Sequence, residues 1–197
     1  MVVSVMNNSH GVERGRTEVF CNLYVMMAII SKWSWISITN LDWFAKMPDG
    51  SGWEYHIVIE GWEPQIWKSL PSGESELVTN QFDIVVVPDK GVIVVKLDID
   101  NQLGGGNPEE WHYGVVMMSQ DGYGPNGSRI REINPSAEQY RGGGAPNVVN
   151  HPNIFDVIFP DEGVQEDFLS SYGEYEGSVD DIPTDLLASI PLVSKDS

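Results

Sequence analysis

Apolar stretches in this chain are short, and several are closed by glycine or proline. Residues 53–60 (WEYHIVIE) stop at Gly61, with Pro64 beyond; residues 82–87 (FDIVVV) run into Pro88-Asp89-Lys90-Gly91, and residues 92–99 (VIVVKLDI) return from that turn. Residues 33–39 (WSWISIT) alternate aromatic or branched side chains with serine and threonine, the period of a strand with one face buried. Runs of this length, bounded by residues that break regular structure, leave little room for helices and point to strands joined by tight turns.

Taken in order, strands are expected at 20–30 (FCNLYVMMAII), 33–39, 53–60, 77–80, 82–87, 92–99, 111–119 (WHYGVVMMS) and 153–159 (NIFDVIF). Two weak helical signals stand beside them, one turn at 136–140 and a short acid-led helix at 164–171. The fold class is all-β: an antiparallel β-sandwich or jelly roll with one or two short helices. Residues 1–19 read as an arm, 20–193 as the sandwich domain and 194–197 as a tail. Arg14 and Arg16 before residues 20–30 imitate a targeting segment, but no A-x-A triplet follows. That apolar run is also too short to span a bilayer, which takes about 20 residues. A buried strand is the favoured reading.

Composition narrows the partners. The chain carries 29 acidic residues against 11 Lys and Arg, a net charge of −18. Nucleic acid and anionic membrane surfaces are therefore disfavoured, because like charge repels the phosphates. Neutral sugars and divalent cations remain open. Cys21 is the sole cysteine, so neither an intrachain disulfide nor a cysteine-based zinc cluster is available. His10, His56, His112 and His151 are scattered, with no H-x-H or H-E-x-x-H pair for a catalytic zinc and no G-x-S-x-G elbow for a nucleophile.

Seven tryptophans are the first candidate for binding chemistry. A planar ring stacks on the C–H face of a pyranose while neighbouring amides and carboxylates hydrogen-bond its hydroxyls. Trp53 is expected in the core, on one face with Tyr55 and Ile57. Trp62 and Trp67, in the polar segment GWEPQIWKSLPSGE beyond the strand end, are the expected carbohydrate-binding aromatics, with Trp43 third. Carboxylates are the second. Asp98, Asp100 and Asp121 are candidate ligands of a calcium ion, although neither cluster follows the EF-hand pattern and Asp before Gly is an ordinary turn residue. Arg141, Gly142, Gly143, Gly144 and Asp156 are assigned a structural role, the arginine held against the Asp156 or Asp121 carboxylate.

Five pieces carry a resemblance through their order and spacing. They are residues 53–62 (WEYHIVIEGW), Val87-Pro88, residues 111–124 (WHYGVVMMSQDGYG), residues 141–144 (RGGG), and residues 153–172 with Asp156, Gln165, Leu169, Ser170 and Tyr172. Residues 190–193 (IPLV) close the set. Together they resemble the C-terminal module of glucodextranase and archaeal amylopullulanases, a β-sandwich related to family 9 carbohydrate-binding modules and DOMON domains. The resemblance spans roughly 53–193, and residues 1–39 depart from it. It implies a non-catalytic extracellular module that binds polysaccharide or a cell-envelope glycan. An alternative is a structural subunit of a surface layer or filament, in which residues 20–30 add to a neighbour's sheet and the chain forms homo-oligomers. A third reading, a haem domain using Met117 or Met118 with His56, ranks last, and no haem is expected.

Overall fold

The computed structural model describes residues 24–31, 39–40, 45–48, 51–60, 64–87, 89, 92–119, 130–138, 142–157 and 162–194. Its strands are β1 (Tyr24–Ser31), β2 (Thr39–Asn40), β3 (Ala45–Lys46), β4 (Tyr55–Ile59), β5 (Gln65–Ser69), β6 (Ser75–Thr79), β7 (Asp83–Val87), β8 (Val92–Lys96), β9 (His112–Ser119), β10 (Asp156–Val157) and β11 (Ala188–Ser189). Two short helices, α1 (Ile99–Gln102) and α2 (Glu162–Leu169), complete the regular elements together with isolated 3-10 turns.

The largest sheet has the order β10-β9-β1-β4-β5-β6 and is antiparallel throughout. A second sheet, β11-β3-β2, mixes a parallel β11–β3 pair with an antiparallel β2–β3 pair, and β7 and β8 form a hairpin of their own. The protein is thus an all-β sandwich, as its punctuation predicts. β1 lies at the centre of the large sheet, paired along one edge with β9 and along the other with β4. With both edges engaged, it is not a free strand that could add to a neighbour's sheet.

Both faces of the large sheet are covered, and the alternation of its side chains shows how. Val58, Val116 and Met118 point to one face, where they pack with Ala45 and Met47 near β3, Ala188 and Ile190 near β11, and Phe168 of α2. Tyr55, Ile57, Ile59, Ile66 and Val115 point to the other, against Val95 of β8, Leu103 and Trp111. Strands buried on two faces read as continuous apolar runs rather than as alternations, which is the pattern of VVMM in β9. The C-terminal segment straps the layers together. Ile190 N–H donates to the Lys46 carbonyl at 2.8 Å, and Val193 exchanges backbone hydrogen bonds of 2.7 and 2.8 Å with Tyr113 of β9.

Several local expectations are corrected. β8 ends at Lys96, and Asp98 begins α1 instead of extending the strand to residue 99. A strand not expected from sequence, β5, adds to β4 with Val58 opposite Gln65 and Tyr55 opposite Lys68. Five residues with polar ends are too short to stand out as a strand in sequence. Residues 136–138 make a bend and a bridge rather than a helical turn. Trp53 packs with the Val58–Met118 cluster, not with Tyr55 and Ile57, because the chain bends at Glu54 before β4 begins. The strand expected at 33–39 lies outside the described residues except for Thr39.

Candidate functional site

The residues singled out in sequence do not converge on one place. Trp43, Trp62, Asp121 and Arg141 lie outside the described residues. Trp67 sits within β5, half-buried against the Val58–Met118 cluster, and its indole N–H donates to Gln65 Oε1 at 2.9 Å. Opposite it in register is His56, whose ring meets Trp53 edge-on with centroids 5.7 Å apart. Burial pushes the His56 imidazole down to about 4.

Asp98 is engaged as the cap of α1. One carboxylate oxygen accepts from the backbone N–H groups of Asp100 and Asn101, each at 3.1 Å, and the other accepts from Asn101 Nδ2 at 2.6 Å. The Asn101 bonds hold this carboxyl below the usual carboxylate range. Among the described residues, no group of three or more His, Cys, Asp or Glu is placed to hold a metal ion. His56 and Met118, named in the last-ranked haem reading, are not neighbours in the sheet. His56 is level with Gly114 through Ile29, so Met118 lies four residues, about 13 Å, further along the sheet.

The glycine run supports a wall. A Cβ on Gly142 would overlap the Phe155 ring, and one on Gly143 would overlap the Ala137 backbone, while Gly144 has φ +103. This close approach lets residues 142–145 pair with 134–135: Asn134 N–H donates to the Gly142 carbonyl at 2.9 Å and Ala145 N–H to the Asn134 carbonyl at 3.2 Å. Asp156, in β10 opposite Met117, has its carboxyl pushed up by burial, while a bond from the Val157 backbone pulls the other way.

Beyond that wall the structure brings together residues that the sequence reading used only as resemblance. A groove of about 520 Å³ is lined by Gly144, Pro146, His151, Gln165, Glu166, Leu169, Ser170 and Tyr172. Gln165 and Leu169 are four apart on α2 and therefore share a face, while Phe168 turns into the core. Ser170 and Ser171 close the helix, their hydroxyls donating to the Glu166 and Phe168 carbonyls, both at 2.8 Å. His151 and Tyr172 meet edge to face, 5.5 Å apart at 78°. Their positions are tied by Asn150, fully buried, whose Nδ2 donates to the Gly173 carbonyl at 2.6 Å and to the Leu186 carbonyl at 3.0 Å.

Burial keeps the His151 imidazole below its ordinary value, so it is neutral at pH 7. Burial and the neighbouring Glu174 raise the Tyr172 phenol, which stays protonated. The groove thus combines aromatic and aliphatic surface with an amide, a carboxylate and hydroxyls, the mixture that small-molecule sites use to bind and orient. The signal for it in the sequence was the spacing Gln-x-x-x-Leu-Ser-x-Tyr from Gln165 to Tyr172, which sets one helical face beside one aromatic.

No curated protein matches the chain. A family model, described as the C-terminal binding-module, SLH-like, of glucodextranase, matches residues 16–182. The match starts earlier than the resemblance read from sequence, taking in β1, and ends before the strap at 190–193. It spans well over half of the chain, and the family's name describes a binding module. The chain belongs to the family of glucodextranase C-terminal, SLH-like binding modules.

Proposed function

We propose that this protein is a non-catalytic module that holds polysaccharide or cell-envelope glycan outside the cell. Membership of a binding-module family over residues 16–182 carries the reading. The acidic charge and the aromatic, amide-lined groove support it. Calcium remains a candidate ligand through Asp100 and Asp121, since Asp98 is engaged with α1.

Co-sedimentation with insoluble polysaccharides and with cell envelopes tests the proposal, alongside an assay for released reducing ends. Retention without hydrolysis is expected; steady release of reducing sugar would show an enzyme instead. A second reading, assembly into a surface structure, is favoured by apolar side chains left in solvent on β6 and β7: Leu77 at 46% exposure, Val85 at 45% and Val86 at 59%. Light scattering across a concentration series separates it, because a monomer throughout would remove it.

A further inference from the structure

We infer that the groove between α2 and the 144–151 segment is the glycan site, and that its ligand class is a neutral oligosaccharide rather than an anionic wall polymer. This rests on the binding-module reading above and names its site and ligand.

The argument begins with charge. Among the described residues no lysine or arginine lines the groove, its one acidic side chain is Glu166, and the whole chain carries −18. An anionic polymer brought here would meet like charge, with no cation among the described lining residues to pair it. A neutral sugar meets no such penalty, because its hydroxyls both donate and accept. Glu166 accepts from two of them, the Gln165 amide donates and accepts, and the Ser170 oxygen accepts while its proton stays on the helix carbonyl.

Shape supplies the second step. Tyr172 and His151 stand at 78° to each other, so one ring turns its edge to the other and leaves a corner of aromatic surface. Leu169 extends that apolar surface along the helix. A pyranose presents the same division, an apolar C–H face and a polar rim. The groove, about 520 Å³ and broadly open to solvent, has room for a short stretch of chain along α2. The walls are set before binding. Asn150 clamps the residues after Tyr172 and before His151, and the glycine run fixes Gly144, which reduces the ordering needed on association.

The test is calorimetric titration of the full chain with maltoheptaose, isomaltoheptaose and xylohexaose as neutral probes, and with oligogalacturonate and heparin oligosaccharide as anionic ones. Gln165→Ala and Tyr172→Ala are compared with wild type, with Trp67→Ala as the competing site. Gln165 is at the surface of α2, so its truncation leaves the fold intact even if the Tyr172 variant does not fold. The expected result is binding of at least one neutral probe, about tenfold or more weakened in the groove variants and unchanged in Trp67→Ala. Anionic probes should bind at least about tenfold more weakly than the best neutral one, at low salt as well as high. If wild type binds and both groove variants bind equally well, the groove is overturned while the binding-module reading stands. Tighter binding of an anionic probe overturns the ligand class. Binding of no probe by wild type removes the carbohydrate reading itself, and this inference with it.

Discussion

At the scale of single residues, two titratable groups report how the large sheet is closed. His56 is held at about 4 against 6.5 in an unfolded chain, so the folded protein prefers the neutral ring. Its contribution is complete above pH 6.5 and is lost as pH falls through 6.5 towards 4, because only the unfolded chain takes up the proton there. The difference amounts to about 3 kcal/mol as an upper bound, since part of the residue remains accessible. His56→Gln should flatten the stability curve between pH 4 and 6.5, read from urea melts; an unchanged slope would place the proton uptake elsewhere. Asp156 works in the opposite sense. Its carboxyl is raised, so stability is full at low pH and declines as pH rises through the folded value, where a half-buried charge must be carried. Asp156→Asn keeps an acceptor for the Val157 N–H and should raise the melting temperature at pH 7 while leaving it unchanged at pH 3. A fall at pH 7 would instead support the pairing with Arg141 expected from sequence.

Among the elements, the connections rather than the strands position the groove. α2 contributes one wall, residues 144–151 the other, and Asn150 crosses between the second wall and the segment that carries Tyr172 and Leu186. Asn150→Ala removes both of these bonds inside the protein and should lower stability by about 1–3 kcal/mol in denaturant melts. It should also weaken glycan binding, since the Tyr172 segment loses its anchor. Retained affinity in a destabilised variant would confine Asn150 to folding. The C-terminal strap is an element of the same kind. A Cβ at Gly114 would press on Ile190 and Leu192 at 3.2 Å, so β9 needs glycine where the strap crosses it.

For the molecule as a whole, charge is the dominant long-range term. A net −18 repels itself in dilute buffer, where the Debye length is about 30 Å, and much less at physiological salt, where it is about 8 Å. The melting temperature should therefore rise as choline chloride is added. Calcium chloride at matched ionic strength should add nothing unless the acidic residues form a specific site, so an excess rise at millimolar calcium would support one. Much of this architecture was legible in the chain. Glycine and proline punctuation marks β4, β7, β8 and β9, because a breaker residue acts through its own φ and missing N–H whatever surrounds it. The segment from Gln165 to Tyr172 was likewise visible as a motif, and α2 as an acid-led helix. Trp67 and Asp98 were read less well. Exposure of an indole depends on which strand lies beside it, and a carboxylate at a strand end looks the same in sequence as one capping a helix. Local steric rules and charge thus determined from sequence alone that this chain is acidic and all-β, while its reading as a binding module came from the resemblance carried by spaced motifs. Only the tertiary structure could bring Gly144, His151, Gln165 and Tyr172 to one groove, because they are separated along the chain and meet through packing of α2 and buried hydrogen bonds of Asn150, which have no local signature.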